Sequence, residues 1–230
     1  MDKNDRTEQT TLVMAEKRLF QFLDFGEMLL GAGAEIRRVE DTLTRMGNAC
    51  GVLKMNVMVI TSNIIITMNY SEEMAITQTR RILNGVNYDL WRVEQLNAMS
   101  RRFCKAPLSL ETFDAELIRI RNDRDPSYFF VMGSLLAAGS YCLFFGGTWQ
   151  DGVASMFFGA LVCLFQKKLA GYFPNVVIFN FLCAFVTGIG ICVAAHYIPV
   201  IHVDKVTMGD IMLLIPGLTM TNAVRDMLVG

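Results

Sequence analysis

Charge all but stops at position 125. Seventeen of the 21 Lys and Arg residues and 18 of the 22 Asp and Glu residues lie before position 126; the rest of the chain carries only Lys167, Lys168, Lys205, Arg225, Asp151, Asp204, Asp210 and Asp226. A stretch so poor in charge has too little polar surface to stay dissolved as a folded body. The sequence therefore predicts a water-soluble part over 1–125 and a membrane part over 126–230. Composition agrees, since 53% hydrophobic residues exclude a disordered chain and 18 Gly without a triplet period exclude collagen. A net charge of −1 argues against nucleic acid as a partner, because a phosphate backbone demands a basic face.

The six cysteines need no disulfides. Cys142, Cys163, Cys183 and Cys192 sit in apolar runs as small hydrophobes, Cys50 and Cys104 end amphipathic segments, and no CxxC spacing occurs. The polar start Met1–Arg6 is followed by no signal-type apolar core, so the first part is expected to stay in a reducing cytoplasm.

Within 1–125 the hydrophobic period changes twice. Leu19, Phe22, Leu23 and Leu30 follow helical spacing up to Gly31-Ala32-Gly33, and Ile36, Val39, Leu43, Met46 and Cys50 continue it. Leu53, Met55, Val57 and Val59, then Ile64, Ile66 and Met68, alternate instead, which predicts an antiparallel hairpin turning at Thr61-Ser62-Asn63. A third strand over Ala75–Leu83 closes at Asn84-Gly85. Helices follow on Leu90–Phe103 and, capped by Ser109, on Leu110–Ile120. The order α-α-β-β-β-α-α describes an α+β domain.

Beyond it, a span needs about 20 apolar residues. Ser127–Gly147, Gly152–Gln166 and Leu169–Ala195 are read as three spans, and Met208–Gly230 as a fourth segment broken by Pro216-Gly217. The connection Gly146–Asp151 has no basic residue whereas Lys167-Lys168 has two, so the positive-inside rule places the Lys pair and the soluble domain in the cytoplasm. Small residues every four positions (Ser155, Gly159 and Cys163; Ala184, Gly188 and Cys192) offer close helix contacts.

The broken segment carries the chemistry. Pro216 lacks an N–H and Gly217 permits unusual dihedrals, and irregular backbone at membrane depth is tolerated only inside protein or beside water. A helix start after the break offers free N–H groups to an anion. Thr219, Asn222 and Asp226 share one face of that helix, and Arg225 lies beside Thr221. The same residues also fit a Pro-kinked helix whose Arg225 and Asp226 pair or anchor at the interface. Gly31, Gly33, Glu35, Arg38 and Glu40 form a second motif, a Gly-rich turn before a helix without a nucleotide fingerprint, equally readable as a packed helix–turn–helix with ion pairs. His196 and His202 are expected in an outer loop as surface residues, with no metal set. Nothing is spaced as a nucleophile with its base, so no catalytic residue, cofactor or enzyme activity is expected.

Three segments, GAGAEIRRVEDT (Gly31–Thr42), FFGGTWQDG (Phe144–Gly152) and IPGLTMTNAVRDMLVG (Ile215–Gly230), resemble the threonine/serine exporter family of bacterial inner-membrane proteins. The resemblance runs from about Phe20 to the end and implies a cytoplasmic domain joined to a multi-span membrane domain that exports small amino acids. More closely, the chain resembles the larger subunit of a split form linked to succinate export, whose pattern continues past Gly230 into another span. This implies a smaller multi-span partner, or a homo-oligomer, because three spans and a broken one give too little wall for a path. It also implies a small carboxylate substrate, held by Arg225 as a planar fork, with Thr219, Thr221 and Asn222 supplying neutral hydrogen bonds and Asp226 neutralising Arg225 when the site is empty. Proton-motive force is the expected drive, with Asp210 or Asp226 titrating. Two alternatives stand beside succinate: a threonine/serine exporter subunit, and a non-transporting membrane-anchored sensor or scaffold.

Overall fold

The protein is described by a computed structural model covering residues 3–71, 74–83, 88–123, 127–169, 173, 176–215 and 217–229. It divides into two compact units, one of residues 1–125 with 222–230 and one of residues 126–221.

The first unit orders α1 (Lys3–Gly31), α2 (Ile36–Ala49), β1 (Lys54–Ile60), β2 (Asn63–Asn69), β3 (Ala75–Arg81), α3 (Leu90–Lys105) and α4 (Leu110–Asn122). The strands form one antiparallel sheet in the order β1-β2-β3, with Val57 opposite Ile66 and Thr67 opposite Thr77. Alternation has the physical cause expected of a half-covered sheet: Met55, Val59, Ile64, Ile66, Met68 and Ile76 are buried while Lys54, Asn56 and Met58 face water. Gly26 brings α1 against α2 and β2; a Cβ there would lie 3.0 Å from Leu43 and 3.2 Å from Ile64. Phe22, Phe103 and Phe113 pack edge-to-face at 5.4–6.3 Å between α1, α3 and α4. Ser109 caps α4 by accepting the Thr112 N–H at 3.2 Å.

The second unit contains α5 (Ser127–Phe144), α6 (Trp149–Leu169), α7 (Val176–Tyr197) and α8 (Val203–Leu214), and α9 (Gly217–Val229) begins in it. The three-span expectation is met in part. Among the described residues two helices, Trp149–Leu169 and Val177–Tyr197, are long and apolar enough to cross a membrane. The stretch Ser127–Gly147 yields an 18-residue helix ending at Phe144, about 27 Å long at the usual rise; the part whose side chains are described, Phe129–Phe144, is apolar. Gly146, in the left-handed region at φ +83°, stops it three residues short of the sequence-based limit. Leu169, read as the start of a span, ends α6 instead, and α7 starts at Val176. The helix read as Gly152–Gln166 is longer, because Thr148 and Asp151 cap it earlier. The expectations placed on Asn84-Gly85, on Pro216 and on the chain between 170 and 175 other than 173 fall outside the described residues.

Candidate functional site

The turn before α6 builds the first polar cluster. Thr148 N–H and Oγ–H both donate to Asp151 Oδ2 at 2.8 Å, and the Asp151 N–H reaches back to Thr148 Oγ1 at 3.4 Å, a reciprocal cap. Asp151 is fully buried and also accepts the His202 N–H on Oδ1 at 2.8 Å, with His202 Nδ1 3.0 Å from Oδ2. The carboxylate thus ties the α5–α6 turn to the residue preceding α8. Gly147 permits this, since a Cβ there would meet the Cys142 carbonyl at 2.8 Å. His202 is exposed, as expected, and is also tied to Asp151, and the GGTWQD segment is explained by capping.

A second cluster lies where α5, α6 and α8 meet. A Cβ on Gly209 would fall 2.4 Å from Ser155 Oγ and 2.7 Å from the Ala138 carbonyl, and one on Gly159 would lie 2.9 Å from Ala138 Cβ. The Ser155, Gly159 and Cys163 stripe is buried, so it serves the contact its spacing predicts. The Ala184, Gly188 and Cys192 stripe does not: Gly188 faces open space and Cys192 is exposed. Close approach leaves Asp210 only 3% exposed, with Ser155 Oγ donating to its Oδ1 at 2.9 Å. Among the described residues its Oδ2 has no hydrogen-bond partner, and neither has Thr187 Oγ1.

At the break, the Asn180 amide donates to the Leu214 carbonyl at 3.3 Å and the Gly217 N–H to the Ile215 carbonyl at 2.8 Å. Backbone groups freed at the end of α8 are thus satisfied by protein. Thr221 Oγ donates to the Gly217 carbonyl at 2.8 Å, spending its proton within α9. Asn222 is half-buried. The side chains of Thr219 and Asp226 lie outside the described residues.

In the first unit, Arg225 donates to Glu35 Oε2 at 2.7 Å. Glu35, in the Gly-rich motif, is a partner of Arg225 that the sequence did not suggest; the expected partner Asp226 has its side chain outside the described residues. Gly33 takes φ +92° and is packed so that a Cβ would meet the Tyr88 ring at 2.6 Å, whereas Gly31 faces open space. Glu40 accepts the Val59 N–H of edge strand β1 at 2.8 Å, and Arg38 is exposed. The motif divides into a turn (Gly33), a strand cap (Glu40) and a partner for Arg225 (Glu35).

Compared with known families, residues 22–230 match the model of the threonine/serine exporter ThrE. The chain belongs to the threonine/serine exporter family. This makes it a membrane protein of a transport family, and transport rather than catalysis is the role that membership carries. Among curated proteins it is similar to the "Probable succinate transporter subunit YjjP" of Klebsiella aerogenes, 26% identical over 210 residues, covering 88% of this chain and 78% of that one. No solved structure matches.

Asp210 was singled out by sequence reasoning, whereas Asp151 with His202, Ser155 as the partner of Asp210, Thr187 and Asn180 were not named as site residues. The available signal was a polar residue inside an uncharged run, where each unpaired group costs several kcal/mol.

Proposed function

We propose that this exporter-family chain is one subunit of a two-component inner-membrane secondary exporter of small carboxylates, with succinate as substrate. The observation that carries the reading is the family match over 22–230, and the name of the Klebsiella relative favours succinate and a partner subunit. In this reading the first unit is cytoplasmic and the partner is a smaller multi-span membrane protein. Arg225 holds the substrate carboxylate, Thr219, Thr221, Asn222 and Asp226 surround it, and Pro216-Gly217 opens the helix start that faces it. Asp210 and Asp226 are the groups that couple export to an ion. The Glu35–Arg225 pair supports a carboxylate site, because Arg225 already binds a carboxylate by a charge-assisted hydrogen bond. Export of threonine or serine is the second reading, favoured by the family description.

Efflux of labelled succinate and threonine is compared in cells with and without this chain and its small membrane partner. Loss of succinate efflux on deletion is the expected result. Loss of threonine efflux alone selects the second reading, and loss of neither leaves a membrane-anchored sensor or scaffold. Collapse of efflux by a protonophore is expected; insensitivity removes proton coupling.

A further inference from the structure

We propose that Asp210, Ser155 and Thr187 form the proton site of the membrane unit, in which Asp210 Oδ2 carries the proton and a water held by Thr187 relays it. The proposal deepens the exporter reading by choosing Asp210 as the coupling group and by adding two residues to which no role has been assigned.

Three observations converge. Asp210 is 97% removed from solvent, its Oδ1 is held by Ser155 at 2.9 Å, and its Oδ2 is unpartnered. Thr187, 5% exposed on α7, has an equally unpartnered Oγ1. Both residues line one cavity of about 40 Å³ between α6, α7 and α8, otherwise walled largely by carbon from Val162, Ile191, Ile211 and Leu214. A void above roughly 10–15 Å³ with polar partners holds a water. A single water here can donate to Oδ2 and exchange hydrogen bonds with the Thr187 hydroxyl, which satisfies both orphaned atoms.

The charge of Asp210 then decides the ligand. A buried carboxylate without a counter-charge is strongly disfavoured and must be neutralised. Among the described residues no basic side chain pairs with it. Among the described residues the ionisable group that interacts with it from a packed helix is the Cys142 thiol on α5; Asp151 on α6 is held by Thr148 and His202, and the Cys183 thiol on α7 packs with Val162, Phe179 and Leu214. On α8 itself, Lys205 is paired with Asp204. A hard metal cation takes about six oxygens or more, and the cavity offers Oδ2 and the hydroxyls of Thr187 and Thr207. A proton needs only Oδ2. In the loading step a hydronium ion gives its proton to the cavity water, which passes one to Oδ2; an O–H bond forms on Asp210 and water is left behind. Release to water on the other side breaks that bond and restores the carboxylate. Ser155 fixes the carboxyl plane and Thr187 positions the water, so both are positioning residues.

The test reads proton occupancy without relying on export, so it stands apart from the exporter reading. The full chain is placed in lipid nanodiscs and followed by infrared difference spectroscopy through a pH titration. The expected result is a carboxylic C=O band that vanishes on alkalinisation, is absent from Asp210→Asn, shifts in frequency in Thr187→Val, and ignores added sodium ion at fixed pH. Should Asp210→Asn fail to fold, the frequency shifts of Thr187→Val and Ser155→Ala carry the test. An identical band in Asp210→Asn, or one unmoved in both positioning variants, overturns the proposal. Removal of the band by sodium ion also overturns it, in favour of a metal-cation site.

Discussion

Arg225 and Glu35, 190 positions apart in sequence, meet at 2.7 Å and join the two motifs of the chain that carry the most polar chemistry. The pair is half open to water, with side chains 50% and 27% exposed. An exposed ion pair contributes about 0–1 kcal/mol, so stability gives little reason for an arginine at this position. A guanidinium already seated on a carboxylate is, in the exporter reading, a site whose resting occupant is Glu35.

Arg225→Lys therefore separates the roles. It keeps the charge but loses the planar fork. Unfolding of the first unit should change by less than about 1 kcal/mol. Carboxylate efflux should fall roughly tenfold or more, the size of one lost charge-assisted hydrogen bond. Wild-type efflux by a normally inserted Arg225→Lys protein leaves Arg225 as an interfacial anchor, because a lysine snorkels equally well.

Glu40 closes the outer edge of the sheet. Its carboxylate takes the Val59 N–H that no strand partner reaches. Glu40→Ala should destabilise the first unit by about 1–3 kcal/mol, with hydrogen exchange at Val59 accelerated more than at Met58. Glu40→Gln keeps an acceptor and should recover most of the loss. Equal exchange rates in all three proteins would show that water serves Val59 as well.

The elements of the first unit were legible because period alone separates them: Met55, Val59, Ile64 and Ile66 alternate, while Val39, Leu43 and Met46 recur every three or four residues, and Ser109 announces its helix. The membrane helices were less legible, since an apolar run has no period that marks where a helix turns. The limit at Phe144 is set by Gly146, not by hydropathy. Asp210 stood out as an isolated charge. Its partners did not, because Ser155 and Thr187 are ordinary residues in a span until tertiary packing brings them to it.

Topology is tested through Cys104, which is exposed on α3. Partial burial raises its thiol above the ordinary value, with Arg45 pulling it back down. A thiol so raised is mostly protonated near neutrality, so the reactive thiolate grows as pH rises. In a protein retaining Cys104 alone, an impermeant maleimide should label inside-out vesicles and spare right-side-out ones, faster at pH 8.5 than at pH 7 (about one and a half units being ample to move a thiol with an unperturbed value near 8.5). The reverse pattern would put the first unit outside.

Asp151 makes a separate demand on the membrane unit. It collects hydrogen bonds from both Thr148 donors and from His202, and an amide offers one acceptor oxygen where the carboxylate offers two. Asp151→Asn should lower the unfolding free energy in lipid by about 1–3 kcal/mol for each donor left buried and unpaired. His202→Ala spares the backbone bond and should cost less. An unchanged melting midpoint in Asp151→Asn would mean that the carboxylate does not hold the turn to α8.

Two glycines of the membrane unit should respond oppositely to the same substitution. Gly209 faces Ser155 Oγ, the Ala138 carbonyl and Cys142 Cβ, all within 3.0 Å of where a Cβ would stand. Two of those three neighbours are backbone or backbone-bound atoms of α5, so α8 must retreat to admit a methyl group. That retreat would lengthen the bond from Ser155 to Asp210. Gly133, on α5, meets nothing within 4 Å, and alanine there gains helix propensity of about 0.8–1.0 kcal/mol. Gly209→Ala should therefore lower thermal stability and abolish ion-coupled efflux together, while Gly133→Ala should leave efflux intact and match or exceed wild-type stability. Melting in nanodiscs and efflux from cells read both. Normal efflux from Gly209→Ala would show that contact between α5 and α8 is not what holds Asp210 in its working geometry.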